Sequence, residues 1–92
     1  MNRGEQANLE IRIDAALKAV REELLSAMNN YPPFRSAHEG VALIDEEWEE
    51  FKEAAYWPHR RHTGDEETEV TQLAAMAARY LVDVCYKEDT PR

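Results

Sequence analysis

Apolar residues recur at three- and four-residue intervals in three stretches of this chain. Between about residues 6 and 28, Leu9, Ile13, Ala16, Leu17, Val20, Leu24 and Met28 fall on one side of a helix. Asn29-Asn30-Tyr31-Pro32-Pro33 ends it, because Pro32 biases Tyr31 away from helical dihedrals and neither proline has an amide to donate. Ser36-Ala37-His38-Glu39 has the spacing of a capping box, in which the serine oxygen accepts the Glu39 amide and the Glu39 carboxylate returns to the Ser36 amide. A second helix therefore starts there and spans about 37–56, where Trp57-Pro58 stops it. A third spans about 65–86. Its acidic first turn, Asp65-Glu66-Glu67, suits the positive helix end, and Leu73, Ala74, Ala77, Tyr80, Leu81 and Val84 form its apolar stripe. Beyond Lys87 a frayed tail is expected.

No run alternates with period two for more than a few residues, so the pattern predicts an all-α chain. Ninety-two residues make one domain, 1–92, since a domain typically takes about 100 to 200. Three helices are too few to bury every stripe. The expected architecture is a helical bundle completed by oligomerisation, as a homodimer or homotetramer.

Composition narrows the class without changing that picture. At 43% hydrophobic residues the chain is not wholly disordered, and no apolar run approaches the roughly 20 residues of a membrane helix. The segment Met1-Asn2-Arg3-Gly4-Glu5-Gln6 has no apolar signal region, which makes the cytoplasm the expected location. The single cysteine, Cys85, forms no internal disulfide and has no His or Cys neighbours at ligand spacing. Charge is more informative once located. Between Glu39 and Glu69, eleven acidic and three basic residues account for the whole net charge of −8. Such a concentration repels a nucleic-acid polymer and attracts cations.

Helical projection sorts those carboxylates. Val41, Ile44, Trp48, Phe51 and Ala55 make the expected core stripe of the second helix, with Glu46, Glu49 and Glu53 on the solvated side. Glu47 and Glu50 lie in a row with Leu43 and Ala54, at the edge of that stripe. On the third helix Glu69 heads a row that continues through Gln72, Met76, Tyr80 and Asp83. If the two helices pack antiparallel, Glu47 and Glu50 converge with Glu69. Two readings stand side by side at this point: a site for Mg²⁺, which takes hard oxygen ligands, or an ordinary salt-bridged helix pair.

Glu46-Glu47-Trp48-Glu49-Glu50-Phe51 followed by Glu69-Val70-Thr71-Gln72 resembles the paired Glu-x-x-Glu and Glu-x-x-Asp motifs of the MazG-like, all-α nucleotide pyrophosphohydrolase family. Pro32-Pro33-Phe34-Arg35-Ser36-Ala37-His38-Glu39-Gly40 and Ala74-Ala75-Met76-Ala77-Ala78-Arg79-Tyr80 resemble its phage and prophage branch, extending the likeness from about Tyr31 to Val84. The resemblance implies hydrolysis of a nucleoside triphosphate, NTP or dNTP, to the monophosphate and pyrophosphate. It implies that Glu47, Glu50 and Glu69 ligate Mg²⁺ or Mn²⁺, and that Glu47 or Glu50 orients the attacking water. The fourth ligand position departs from the motif. Gln72 stands where the family has aspartate, and an amide adds no negative charge and is no base at neutral pH. That favours the alternative reading, a catalytically silent helical module that binds a nucleotide or a protein partner.

Three further residues are candidates for substrate contact. Arg79, two turns after Gln72, either grips phosphate oxygens or pairs on the surface with Asp83. Phe34 and His38 precede the Glu47 row, and either stack on and hydrogen-bond a nucleobase or serve as an apolar contact and a capping position. His59-Arg60-Arg61-His62 has ligand-like spacing but no third ligand, so a basic turn is the plainer reading. Trp48 and Trp57 are expected in the core and at a packed helix end.

Overall fold

A computed structural model describes residues 1–59 and 64–87. These form three helices, α1 (Arg3–Asn30), α2 (Ala37–Tyr56) and α3 (Glu66–Tyr80), and no strand occurs among them. The expected fraying beyond Lys87, and Arg60, Arg61 and His62 of the basic turn, lie outside the described residues. No described helix is long and apolar enough to cross a membrane.

Each helix begins where a side chain accepts an otherwise unpaired amide. Asn2 accepts the Glu5 amide at 2.8 Å, Ser36 the Glu39 amide at 3.1 Å, and Asp65 the Thr68 amide at 2.8 Å. The capping box at Ser36 closes differently from expectation. The Glu39 carboxylate takes the backbone amide of Arg35 at 3.2 Å and its Nε at 2.8 Å, rather than the Ser36 amide. Arg35 supplies charge as well as a donor there, so the stronger partner wins. Tyr31 is extended at φ −134°, as the following proline requires. The expected third helix divides into α3 and a π-helical segment, Leu81–Cys85, closed by a bond from the Tyr86 amide to the Leu81 carbonyl at 2.8 Å.

The packing is centred on α3, which lies against both α1 and α2 while those two barely meet. Gly40 of α2 sits beside Tyr80, and Glu50 beside Glu69, so α2 and α3 run antiparallel. At the first crossing a Cβ on Gly40 would stand 2.6 Å from Tyr80 Cδ2 and 3.1 Å from Phe34 Cδ2. Only glycine allows helices to come that close.

The expected apolar stripes are only partly the inner faces of α2 and α3: Val84 is buried, and Ile44, Phe51 and Ala55 of the one stripe and Leu73, Ala74 and Tyr80 of the other are half-buried. On α2 the buried residues are Gly40 and Ala54, while Val41 is 59% exposed and Trp48 41% exposed. On α3 they are Glu69, Ala75 and Arg79, while Ala77 and Leu81 face solvent. Trp57 is likewise half-exposed and meets Tyr56 edge-on, ring centroids 5.7 Å apart. Glu53, expected on the solvated side, is half-buried, whereas Glu46 and Glu49 are exposed. Both helices are thus rotated so that the row of polar and small residues meets the neighbour. Part of each apolar stripe, Val41 and Trp48 on the one and Ala77 and Leu81 on the other, is left outside. On α1 the predicted stripe packs from Val20 to Met28 but runs on uncovered through Leu17, which is 62% exposed. The Cα radius of gyration, 15.6 Å, exceeds the roughly 12 Å of a compact chain this long.

Candidate functional site

The antiparallel crossing of α2 and α3 brings Glu47, Glu50 and Glu69 together. Each offers one carboxylate oxygen, and these three atoms lie within 4.8 Å of one another. Glu69 is only 2% exposed, Glu47 is half-buried and Glu50 is on the open side. Glu47 and Glu50 stand one turn apart on α2, so a single helix face presents both to Glu69.

Crowding shows in their acidity. Burial, then the neighbouring charges of Glu50, Glu69, Glu23 and Glu46, push the Glu47 carboxyl up to about 7. Glu50 is raised by burial, by the Glu69 charge and by a side-chain hydrogen bond with Glu69. Such a bond between two carboxyl groups needs a shared proton. Glu47 Oε2 is buried with no hydrogen-bond partner. Carboxylate oxygens converging within 4.8 Å, with a buried oxygen on Glu47 left without a donor, fit a small divalent cation.

Glu47 also forms one end of a cleft of about 520 Å³. Three helical rows line it, each with residues spaced by one turn. Glu23, Ala27 and Asn30 come from α1, Glu39, Leu43 and Glu47 from α2, and Gln72, Met76 and Arg79 from α3. The segment after α1 adds Tyr31, Pro32 and Phe34. Gln72 is half-buried and lines the same cleft as Glu47. His38 is exposed and does not line the cleft, and neither does Glu50.

Arg79 is buried rather than on the surface, at 2% exposure. It does pair with Asp83, Nε to Oδ2 at 3.0 Å, but the pair is enclosed. Its Nη2 donates to the Tyr31 carbonyl at 2.9 Å and to that of Pro32, and its Nη1 to the Ala27 carbonyl at 3.5 Å. Asp83 Oδ2 accepts the Phe34 amide as well, at 2.9 Å. The guanidinium lies over the buried Phe34 ring, 5.0 Å from its centroid. Arg79 thus satisfies carbonyls at the end of α1 and fastens the cleft wall to α3, and four of its five N–H donors are committed to the protein.

Sequence reasoning did not find the outer lining of the cleft. Glu23, Asn30, Leu43 and Met76 carry no chemical motif. Leu43 and Met76 are marked only by sharing a helical row with Glu47 and with Gln72, and Glu23 and Asn30 of α1 carry no such signal. No family model matches this chain, and neither a curated protein nor a solved structure matches it.

Proposed function

We propose that this protein is a Mg²⁺-dependent nucleoside triphosphate pyrophosphohydrolase, with Mn²⁺ as an alternative ion. One observation carries the reading: Glu47, Glu50 and Glu69 place carboxylate oxygens within 4.8 Å of one another at the end of a cleft of about 520 Å³. Three like charges in a partly dry site repel one another, and a divalent cation removes that penalty. The MazG-like pattern of the same residues supports the choice of substrate.

Within this reading Glu47, Glu50 and Glu69 hold the ion, and Gln72 contributes an uncharged amide oxygen. When bound, the ion neutralises phosphate charge and polarises the phosphoryl oxygens. Of the two α2 carboxylates only Glu47 also faces the cleft, so it is the one placed to orient the attacking water. The water oxygen bonds to the α-phosphorus, the bond from that phosphorus to the bridging oxygen breaks, and pyrophosphate leaves. The water's proton passes to a carboxylate and then to solvent.

The reading includes self-association. Ile13 and Leu17 on α1, Val41 and Trp48 on α2, and Leu81 beyond α3 remain open, and a second copy supplies the matching surface. Light scattering that finds only monomer at micromolar concentration refutes that part.

Pyrophosphate release from a panel of dNTPs and NTPs, with and without Mg²⁺, tests the activity. Alanine at Glu47, Glu50 or Glu69 is expected to abolish both turnover and the rise in melting temperature that Mg²⁺ produces by binding the native state. Alanine at the exposed Glu46 or Glu49 leaves both intact. Cation-dependent melting without turnover on any nucleotide points to the silent module that Gln72 favours. Identical behaviour of Glu46→Ala and Glu47→Ala overturns the site itself.

A further inference from the structure

Asp65 caps α3, so Gly64 is the residue just before the cap and Glu69 is the fourth residue of the helix. The turn that opens a helix brings these two positions together, and an apolar pair often fills them and fixes the entry of the chain. Here neither residue is apolar. Gly64 has no side chain, and the Glu69 side chain lies against its backbone. A Cβ added to Gly64 would overlap Glu69 Oε1 and stand 3.3 Å from its Cδ and 3.6 Å from its Cγ. Outside the adjoining residues, the three heavy atoms nearest to that Cβ all belong to Glu69.

Backbone conformation does not account for this glycine. No described glycine has a positive φ, so alanine fits the Gly64 backbone without strain. What glycine provides is space for the carboxylate. The contrast with Gly40 is one of stiffness. At Gly40 the added carbon meets the Tyr80 ring, which packs between helices, whereas at Gly64 it meets the far end of a side chain that turns about three bonds. A methyl group at Gly64 therefore moves the Glu69 carboxylate and leaves the helices where they are.

Resting on the cation reading above, we infer that Gly64 is a positioning residue for the ion: its bare backbone leaves the space in which the Glu69 carboxylate stands opposite Glu47 and Glu50. Glu69 is the most enclosed of the three, so its protein surroundings decide where its oxygens stand. Mg²⁺ demands near-ideal octahedral geometry with oxygens at about 2.1 Å, so a carboxylate turned aside no longer serves it. The same displacement is harmless to the fold without the ion. Alanine restricts the unfolded chain more than glycine does, and a carboxylate moved away from two others relieves like-charge repulsion. Metal affinity and metal-free stability thus respond in opposite directions to a side chain at this position.

The test is isothermal titration of the full chain with Mg²⁺ alone, together with melting curves with and without the ion. Gly64→Ala is expected to weaken Mg²⁺ binding about tenfold, as loss of a group that orients a metal ligand does. Its melting temperature without divalent cation holds or rises by up to about 5 °C. Gly4→Ala is the matched control, because an added Cβ there meets Asn2 Oδ1 at an ordinary 3.6 Å, and it leaves the affinity unchanged. A loss of less than about threefold in Gly64→Ala overturns this inference and leaves the cation site standing. An equal loss in Gly4→Ala overturns it too, since the effect then belongs to any glycine replaced. Failure of Gly64→Ala to fold, or a fall of more than about 5 °C without the ion, makes the glycine a packing residue and likewise overturns it. A parent chain that neither binds Mg²⁺ in the titration nor melts higher in its presence overturns the cation reading, and this inference with it.

Discussion

Arg79 and Glu69 sit on the same helix, ten residues apart, and both are 2% exposed. Around Arg79 the protein supplies what a buried charge requires: the Asp83 carboxylate at 3.0 Å, carbonyls from the end of α1, and the face of Phe34. Around Glu69 it assembles more of the same sign, Glu47 and Glu50, with carboxylate oxygens within 4.8 Å. A buried charge that is paired and hydrogen-bonded costs little once made. A buried group of like charges stays costly until something positive arrives. One end of α3 is therefore finished by the fold, whereas the other is suited to being finished by a ligand.

The largest expected effect lies at the finished end. Arg79→Met leaves Asp83 enclosed without its partner and removes the donors to the Tyr31 and Pro32 carbonyls. Breaking a buried pair on one side costs about 3–5 kcal/mol, measurable by urea unfolding. Arg79→Met with Asp83→Leu recovers part of that loss, because the uncompensated charge goes with its partner. A loss under about 1 kcal/mol in the single variant means that the enclosure is not structural.

Next in size is the close crossing that sets this end in place. Gly40→Ala puts a methyl group 2.6 Å from the Tyr80 ring, and overpacking of this kind costs about 1–3 kcal/mol. Tyr80→Leu in the same chain should relieve much of it. The two substitutions behaving additively would show that the helices separate easily, which removes the fixed frame that holds Glu47 against Glu69.

Much of the frame was legible in the sequence and its rotation was not. The N-cap at Ser36, the start of the third helix near Asp65 and the Pro32-Pro33 stop are local signals, and local hydrogen bonding and backbone restriction fix them. Trp48 and Val41 were expected inside because helical projection puts them on one stripe with Ile44, Phe51 and Ala55. The partner surface of α3 is polar and small, and Gly40 and Ala54 meet it best. Periodicity gives the existence of a stripe and not the helix that covers it. The same limit explains Arg79. Its i, i+4 spacing with Asp83 was readable, but burial depends on the end of α1, some fifty residues away in sequence. Glu47 and Glu50 were placed through their spacing and their edge position, which hold whichever neighbouring face is buried.

A third contrast concerns pH. Glu47 has its folded pKa raised from the ordinary 4.5 to about 7, and Glu50 moves in the same direction. A carboxyl raised in this way holds its proton in the folded state at pH values where the unfolded chain has released it. Its stabilising contribution is therefore complete below about 4.5 and is lost as the pH rises through about 7. Without divalent cations the melting temperature should fall across that window. Glu47→Gln should flatten the fall, since the titrating group is gone. Millimolar Mg²⁺ should reverse it, because the ion binds the deprotonated carboxylates and competes with the proton. A pH profile that is the same with and without Mg²⁺ would leave the two ends of α3 electrostatically alike and remove the case for a cation.

The smallest effect is expected from Gln72→Asp, and it sharpens the comparison most finely. Gln72 lines the cleft with Glu47, half-buried, one turn from Glu69 on α3. An aspartate there adds a fourth negative charge without adding bulk. In the absence of metal it worsens the repulsion, so the melting temperature drops slightly below that of the parent protein. In Mg²⁺ the sign changes. Cation affinity follows the number of charged oxygen ligands, so binding should tighten on the order of tenfold or less, and the melting temperature should rise above that of the parent. Asparagine at the same position separates charge from size, because it shortens the side chain while leaving it neutral. If aspartate and asparagine give the same response to Mg²⁺, position 72 does not face the ion. The site is then the work of Glu47, Glu50 and Glu69 alone.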